Sequence, residues 1–407
     1  MKACMVAYAF YETDNRVRRY AETLTKEGWE VDAVTIGNKS TGFEVLKGVN
    51  VYKIQKRDVN EKNKLQYLFR LLVFLIKSTL FLLRKSFRNR YDIIHVHSVP
   101  DFEVFSALFA KLFGSKVILD IHDLVPELFS SKFCAAEHNL CFRLLSIVEK
   151  ISCKFANHVI IANDIWRERL VKRSVSSRHC TTILNYPDPD IFRKTDVVKD
   201  DKYFTLVYPG TLSKHQGLEA AIRAVDLLKD KIPEIRLKIY GTGTDEGYFK
   251  KITADLNVER FVEFCGCVSL DEIPKTMQIA DLGVEPKLSN GFSDEAFSTK
   301  IFEFMTLDIP LVVSDTTVHK YYIDDSQVLF HKAGDYMDLA EKIITAYENM
   351  ELRQTLVINS YEFISRFSWE KNKHKYLNII DSLLQKEKVV TEGVITDDCK
   401  EPLVNAE

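Results

Sequence analysis

Phe204-Thr205-Leu206-Val207-Tyr208-Pro209-Gly210-Thr211-Leu212-Ser213-Lys214-His215-Gln216-Gly217-Leu218 reads as a buried strand, a turn and the start of a helix. The strand is apolar and β-branched without polar alternation, as expected where a sheet is covered on both faces. The same rhythm recurs at residues 236–240, 261–264, 282–285, 310–313 and 328–330, with amphipathic segments such as 218–228 and 300–307 between them. Working outward toward the N-terminus, comparable runs lie at 3–8, 31–36, 92–96, 116–120 and 158–162. Two series of strands alternating with helices predict an α/β protein of two doubly wound, Rossmann-like domains facing a central cleft.

The breaker-rich stretch Asn185-Tyr186-Pro187-Asp188-Pro189-Asp190, followed by a charged run, marks the boundary. The expected organisation is an N-terminal domain over 1–185, a linker over 186–202 and a C-terminal domain over 203–369. A helix at about 370–387 is expected to pack back on the first domain, and a polar tail over 388–407 to be mobile. A chain of 407 residues with 46% hydrophobic content is long enough for two cores.

The balance of 56 basic and 58 acidic residues leaves a formal charge of −2, so no global field points to nucleic acid. Eight cysteines lie scattered, without a disulfide framework or paired zinc-ligand spacing, and read as reduced and cytosolic. Cys265-Gly266-Cys267, with no nearby histidine, falls short of a four-ligand site. Asp188-Pro189-Asp190 imitates a metal-binding DxD but sits in the linker around a proline, so no metal is expected. The apolar run at the N-terminus is too short for a signal peptide, which places the protein inside the cell.

Chemistry is expected at strand ends. Glu295-Ala296-Phe297-Ser298-Thr299-Lys300-Ile301-Phe302-Glu303 opens a helix after a loop, and a helix N-terminus offers free N–H groups and a positive dipole end to a phosphate. Glu303 can accept hydrogen bonds from two vicinal ribose hydroxyls; the plainer reading is ordinary Ser/Thr capping with Glu303 facing solvent. Lys214, in the turn after the first strand of the second domain, is placed for a diphosphate, and Gly241-Thr242-Gly243 ends the next strand. In the first domain, His95 and His97 close one strand and His122-Asp123 another, all toward the cleft.

Together these motifs resemble glycosyltransferase family 4, retaining enzymes of the GT-B fold, over nearly the whole chain. The likeness rests on Glu295 and Glu303 at the Glu-x7-Glu spacing, on Gly210-Thr211-Leu212 with Gln216-Gly217-Leu218, and on Gly241-x-Gly243. Phe264-x-Gly266, residues 183–188, His122-Asp123 and Arg16-Val17-x-Arg19 add to it. The resemblance implies that Glu303 holds the ribose of a UDP- or GDP-sugar, that Ser298, Thr299 and Lys300 lie near its diphosphate, and that Glu295 contacts the donor sugar. It also implies His122 at the sugar site, Lys214 as the cation on the leaving phosphate, Gly210, Thr211, Gly241 and Gly243 along the donor, and Arg16, His97 and Asp123 on the acceptor side.

Two departures stand out. Thr211 occupies the place where the family commonly has an arginine, leaving His215 or Lys300 to supply the second cation, and Phe10-Tyr11-Glu12-Thr13-Asp14-Asn15-Arg16 replaces a glycine-rich first loop. The implied reaction is metal-free, retaining transfer of a sugar by front-face attack to an acceptor oligosaccharide, often lipid-linked in this family, in cell-surface polysaccharide synthesis. A nucleotide-sugar epimerase of the same plan and a catalytically silent glycan-binding partner are the rival readings.

The segment 65–90 is far more apolar than a surface helix, yet its uncharged runs are too short to span a bilayer. Arg70, Lys77, Arg84 and Lys85, with Arg88 and Arg90 beyond, suggest an in-plane helix on an anionic membrane surface, and so a cytoplasmic protein peripheral to the inner face. The alternative is a core helix whose basic stripe is its solvated edge.

Overall fold

The computed structural model describes residues 1–38, 40–57, 64–133, 139–188 and 190–388. Cys134, Pro189, Cys399 and almost all of the expected mobile tail lie outside the described residues. The first sheet contains β1 (Lys2–Phe10), β2 (Glu30–Asn38), β3 (Gly42–Leu46), β4 (Val49–Arg57), β5 (Ile93–His97), β6 (Lys116–Ile121), β7 (His158–Ile161) and β8 (Cys180–Thr182). They lie in the order β3-β4-β2-β1-β5-β6-β7-β8, parallel throughout except for the β3–β4 pair.

The second sheet contains β9 (Phe204–Pro209), β10 (Ile235–Tyr240), β11 (Val262–Gly266), β12 (Leu282–Glu285), β13 (Leu311–Ser314) and β14 (Leu329–His331). Its order is β11-β10-β9-β12-β13-β14, all parallel. In both sheets the strand order reverses beside the first strand, which opens a crevice at the carboxyl ends.

Alternation along β1 shows how one strand serves two layers. Ala3, Met5 and Ala7 pack with α1 (Asn15–Lys26) and with Trp369, Tyr376 and Ile380 of the last helix, Trp369–Lys388. Cys4, Val6 and Tyr8 pack on the other face against α2 (Lys64–Arg88), the 3₁₀ segment Asp101–Ala107, α3 (Leu108–Leu112) and α5 (Leu140–Phe155). Between α3 and α5 lies α4 (Val125–Phe133), and α6 (Asp164–Arg173) follows β7. The chain therefore crosses back from the second sheet to close the first, and the Trp369 indole N–H donates to Thr23 Oγ1 at 2.8 Å.

Three strands have no counterpart in the sequence reading: β3, β4 and β8. β3 is mostly exposed and β4 carries charge, so neither shows an unbroken apolar run. The two are joined by a two-residue hairpin turn in which Lys47 and Gly48 both adopt positive φ (48° and 82°).

Candidate donor and acceptor site

β9 and β10 end side by side, and their loops stack. The Gly210 N–H donates to the Tyr240 carbonyl at 2.8 Å and Leu212 N–H to the Thr242 carbonyl at 3.0 Å. A Cβ on Gly241, whose φ is 145°, would stand 2.0 Å from the Gly210 carbonyl oxygen, and one on Gly243 2.2 Å from that of Leu212. Gly243 thus serves loop packing and does not line the cavity, a correction to its expected contact with the donor. Against these loops the helix Thr299–Thr306 presents its N-terminus, where Ser298 makes no side-chain capping bond. The open cavity between them, about 500 Å³, is lined by Gly210, Thr211, Gly241, Ser298, Thr299, Lys300 and Glu303, together with Gln216 and Lys287.

Lys300 supplies the principal cation. Its ammonium lies 2.8 Å from Glu285 Oε2 and 4.6 Å from the centre of the Tyr208 ring. Burial opposes the charge, but Glu285 and then Tyr208 outweigh it and hold the pKa above the ordinary lysine value. Burial pushes Lys287 down to about 8, partly offset by Glu285, and its Nζ donates to the Ala296 carbonyl at 2.5 Å. Burial raises Glu303 to about 7 against the opposing pull of Lys300.

Lys214 takes a different position from the one expected. It lies in the 3₁₀ turn Lys214–Gln216, is exposed, and stacks its ammonium 4.0 Å from the centre of the Tyr248 ring, outside the lining. That turn points Gln216 inward, where its Oε1 lies 3.5 Å from Lys300 Nζ. His215 is also exposed and beside Ser213, so of the two substitutes for the missing arginine only Lys300 reaches the cavity. Glu295 is likewise displaced. Its carboxylate is held by the Arg169 guanidinium of α6, its backbone carbonyl accepts from Asn163 Nδ2 at 3.0 Å, and it does not line the cavity.

The facing wall belongs to the first domain. A second cavity of about 410 Å³ is lined by Asn15, Arg16, Arg19, Arg57 and His122, and it shares Thr299 and Glu303 with the first. One cleft therefore runs across both domains. Arg16 grips buried Asp120 with both arms, Nε–Oδ2 and Nη2–Oδ1 each 2.7 Å, while its Nη1 donates to the Ile183 carbonyl and Asn185 Oδ1, both at 2.8 Å. Burial alone would raise Asp120; Arg16 and His122 reverse this and hold it well below the carboxylate range.

His97 lies behind His122, Nδ1 to Nε2 3.2 Å, and does not line the cavity itself; burial lowers its pKa against the pull of Asp120. Asp123 is half-buried and lines neither cavity, although its charge reaches Lys287. His95, His97 and Asp120 are close enough to share a cation, but the Arg16 fork already engages both Asp120 oxygens, so a metal there would face a buried guanidinium.

Asp120, Lys287 and Gln216 are site residues that the sequence reading missed. Lys287 follows the carboxyl end of β12, the position where such sheets bind ligands, and that placement was the available signal. Asp120 carries no motif of its own, and only the fold brings Arg16 to it.

Comparison with known proteins agrees with this architecture. Residues 13–185 match the family model described as glycosyl transferase 4-like domain, and residues 190–363 that of glycosyl transferases group 1. The chain belongs to the GT-B glycosyltransferases of the family 4 type. EpsD of Bacillus subtilis, a candidate glycosyltransferase, is 26% identical over 320 residues, covering 74% of this chain and 80% of that one. Sucrose-phosphate synthase of Thermosynechococcus elongatus superposes with a TM-score of 0.73 at 17% identity, over 96% of this chain and 99% of the other. The Anabaena protein HepE, solved with UDP-glucose, gives 0.68 at 14% identity, over 95% and 99%.

Proposed function

We propose that this glycosyltransferase takes a sugar from a UDP- or GDP-sugar and passes it, with retention, to an acceptor oligosaccharide that is lipid-linked, in cell-surface polysaccharide synthesis. The observation that carries the reading is the single cleft in which Lys300, Lys287 and an uncapped helix N-terminus surround one cavity, while Glu303 and Thr299 border the second. Breaking the bond between the anomeric carbon and the phosphate oxygen leaves the electron pair on the diphosphate, so a site for it must stabilise negative charge. Lys300 and the helix end meet that demand, with Glu303 accepting from the ribose hydroxyls.

In front-face attack the acceptor oxygen bonds the anomeric carbon on the side the diphosphate leaves, and its proton passes to the departing phosphate oxygen. His122 lines the first-domain wall, which supports a role beside the donor sugar. The reading requires no metal. HepE, which was solved with UDP-glucose, supports a nucleotide sugar as donor.

The surface of the first domain supports a lipid-linked acceptor and a membrane-peripheral location. α2 is long and apolar enough to cross a membrane by length and composition, yet Leu71, Phe74, Ser78 and Leu82 form a buried stripe against the sheet. Its exposed apolar face and Lys77 and Arg84 support peripheral attachment to the inner, anionic face of a membrane. A panel of UDP- and GDP-sugars, scored for release of nucleoside diphosphate with and without lipid-linked oligosaccharide, tests the whole reading. Acceptor-dependent release with one donor is expected; donor interconversion without acceptor would make the protein an epimerase, and nucleotide binding without turnover a silent partner.

A further inference from the structure

Among the described residues, the helical layer on that face of the first sheet leaves two more apolar surfaces uncovered beyond α2. On α5, Leu140, Leu144, Ile147 and Ile151 recur at spacings of four, three and four and are all exposed, Leu140 by 70%. On and just after α3, Leu112 is 76% exposed and Phe113 meets Phe87 of α2, itself 73% exposed, with ring centres 5.3 Å apart. The three helices belong to one layer. Phe74 and Leu82 of α2, Ala110 of α3 and Cys153 of α5 all join the same core under the sheet, so the uncovered stripes point away from it.

Charge decides what covers them. Across α2, α3 and α5 the sequence carries lysines and arginines but only one acidic residue, Glu149. Glu149 is buried and spent on Arg173 Nε at 2.8 Å and on the Ser174 hydroxyl at 2.5 Å. Arg143, Lys150 and Lys154 on α5 are exposed, as are Lys77, Arg84 and Arg88 on α2. A second copy docked on this layer by two-fold symmetry would set these cations against themselves, since such an interface must be self-complementary. An anionic lipid surface satisfies both features at once, taking the apolar side chains among its acyl chains and the cations at its headgroups.

We infer that the membrane-docking face is this whole three-helix layer, α2, α3 and α5 together, and that α5 is a second, independent lipid contact. The inference rests on the membrane part of the proposed function and fixes an orientation: the first sheet stands over the bilayer with this layer beneath it. No residue of α5 lines either cavity of the cleft, so lipid contact there is separable from donor chemistry.

The test compares the full chain with Leu144→Asp/Ile147→Asp on α5 in co-sedimentation with phosphatidylglycerol–phosphatidylcholine vesicles. Partition is expected to fall by about 10-fold or more, from lost apolar insertion and added negative charge. Wild-type partition by the α5 variant would overturn the inference, as would equal binding of the wild type to pure phosphatidylcholine. So would a lipid-free dimer, seen by sedimentation equilibrium, that the same variant dissolves. If that variant loses its cooperative thermal unfolding, Lys150→Glu/Lys154→Glu provides the same comparison at exposed positions. Binding of UDP and GDP, measured by calorimetry on the same samples, is expected to be unchanged; its absence in the wild type would count against the transferase reading while leaving the vesicle result to stand by itself.

Discussion

Two lysines compete for the diphosphate in the linear sequence, and the short turn after β9 separates them. Lys214 is exposed over Tyr248, whereas Lys300 sits in the cavity on buried Glu285. Lys300→Ala is expected to lower turnover by roughly 10²-fold, the scale of losing one donor to a developing oxyanion. Lys214→Ala should stay within about 3-fold, because a surface cation off the cavity adds little; steady-state kinetics of the two variants checks both. Glu303 and Lys287 add a pH dependence. In its proposed role Glu303, raised to about 7, accepts from both ribose hydroxyls only as the carboxylate, so donor affinity should fall as pH drops through about 7. Lys287, lowered to about 8, loses its charge as pH rises through about 8, so affinity should fall there too. A KM–pH profile with its minimum between these values is the expected result, and Lys287→Met should remove the alkaline limb alone.

At the scale of elements, the last helix and the Arg16–Asp120 clamp hold the first domain in shape. Trp369 is buried between Tyr20 and Arg19, 4.8 Å from the guanidinium carbon, and Tyr376 OH lies 3.0 Å from His95 Nδ1. Trp369→Ala should cost about 3–5 kcal/mol, the range for emptying a large aromatic site, read from the denaturant midpoint. Asp120→Ala strands a buried guanidinium and should cost about 3–5 kcal/mol as well. The sign of the pH effect follows from the depressed pKa of Asp120. Its stabilisation is fully present above the unfolded carboxylate pKa and is lost as pH falls toward the lower folded value. Wild-type stability should therefore decline in acid, and the Asp120→Ala variant should show less of that decline.

Across the whole molecule, the two domains meet through α6. Arg169 holds Glu295, the Tyr322 hydroxyl donates to Asp164 Oδ2 at 2.8 Å, and Trp166 stacks on Phe292 with ring centres 5.2 Å apart. Glu295 therefore acts in this state as a bridge between domains. Removing the latch with Arg169→Ala/Tyr322→Phe should enlarge the radius of gyration measured by X-ray scattering without donor, with compaction returning on addition of UDP or GDP; unchanged scattering would show that the remaining contacts hold the cleft unaided.

Strand–helix alternation and the helix N-terminus at Ser298 are local in the chain. Periodicity and breakers report them directly, because a strand buried on both faces needs an unbroken apolar run wherever it lies. β8 is too short for such a run, and β3 too exposed to need one. The Arg16–Asp120 grip and the bridge from Arg169 to Glu295 join residues 104 and 126 positions apart, and the pairing of Lys300 with Glu285 joins the start of a helix to the end of β12. Which of several lysines faces the cavity depends on one turn of 3₁₀ helix and on the carboxylate buried beneath, and charges meet only once the sheets are built, so those assignments belonged to the tertiary structure alone.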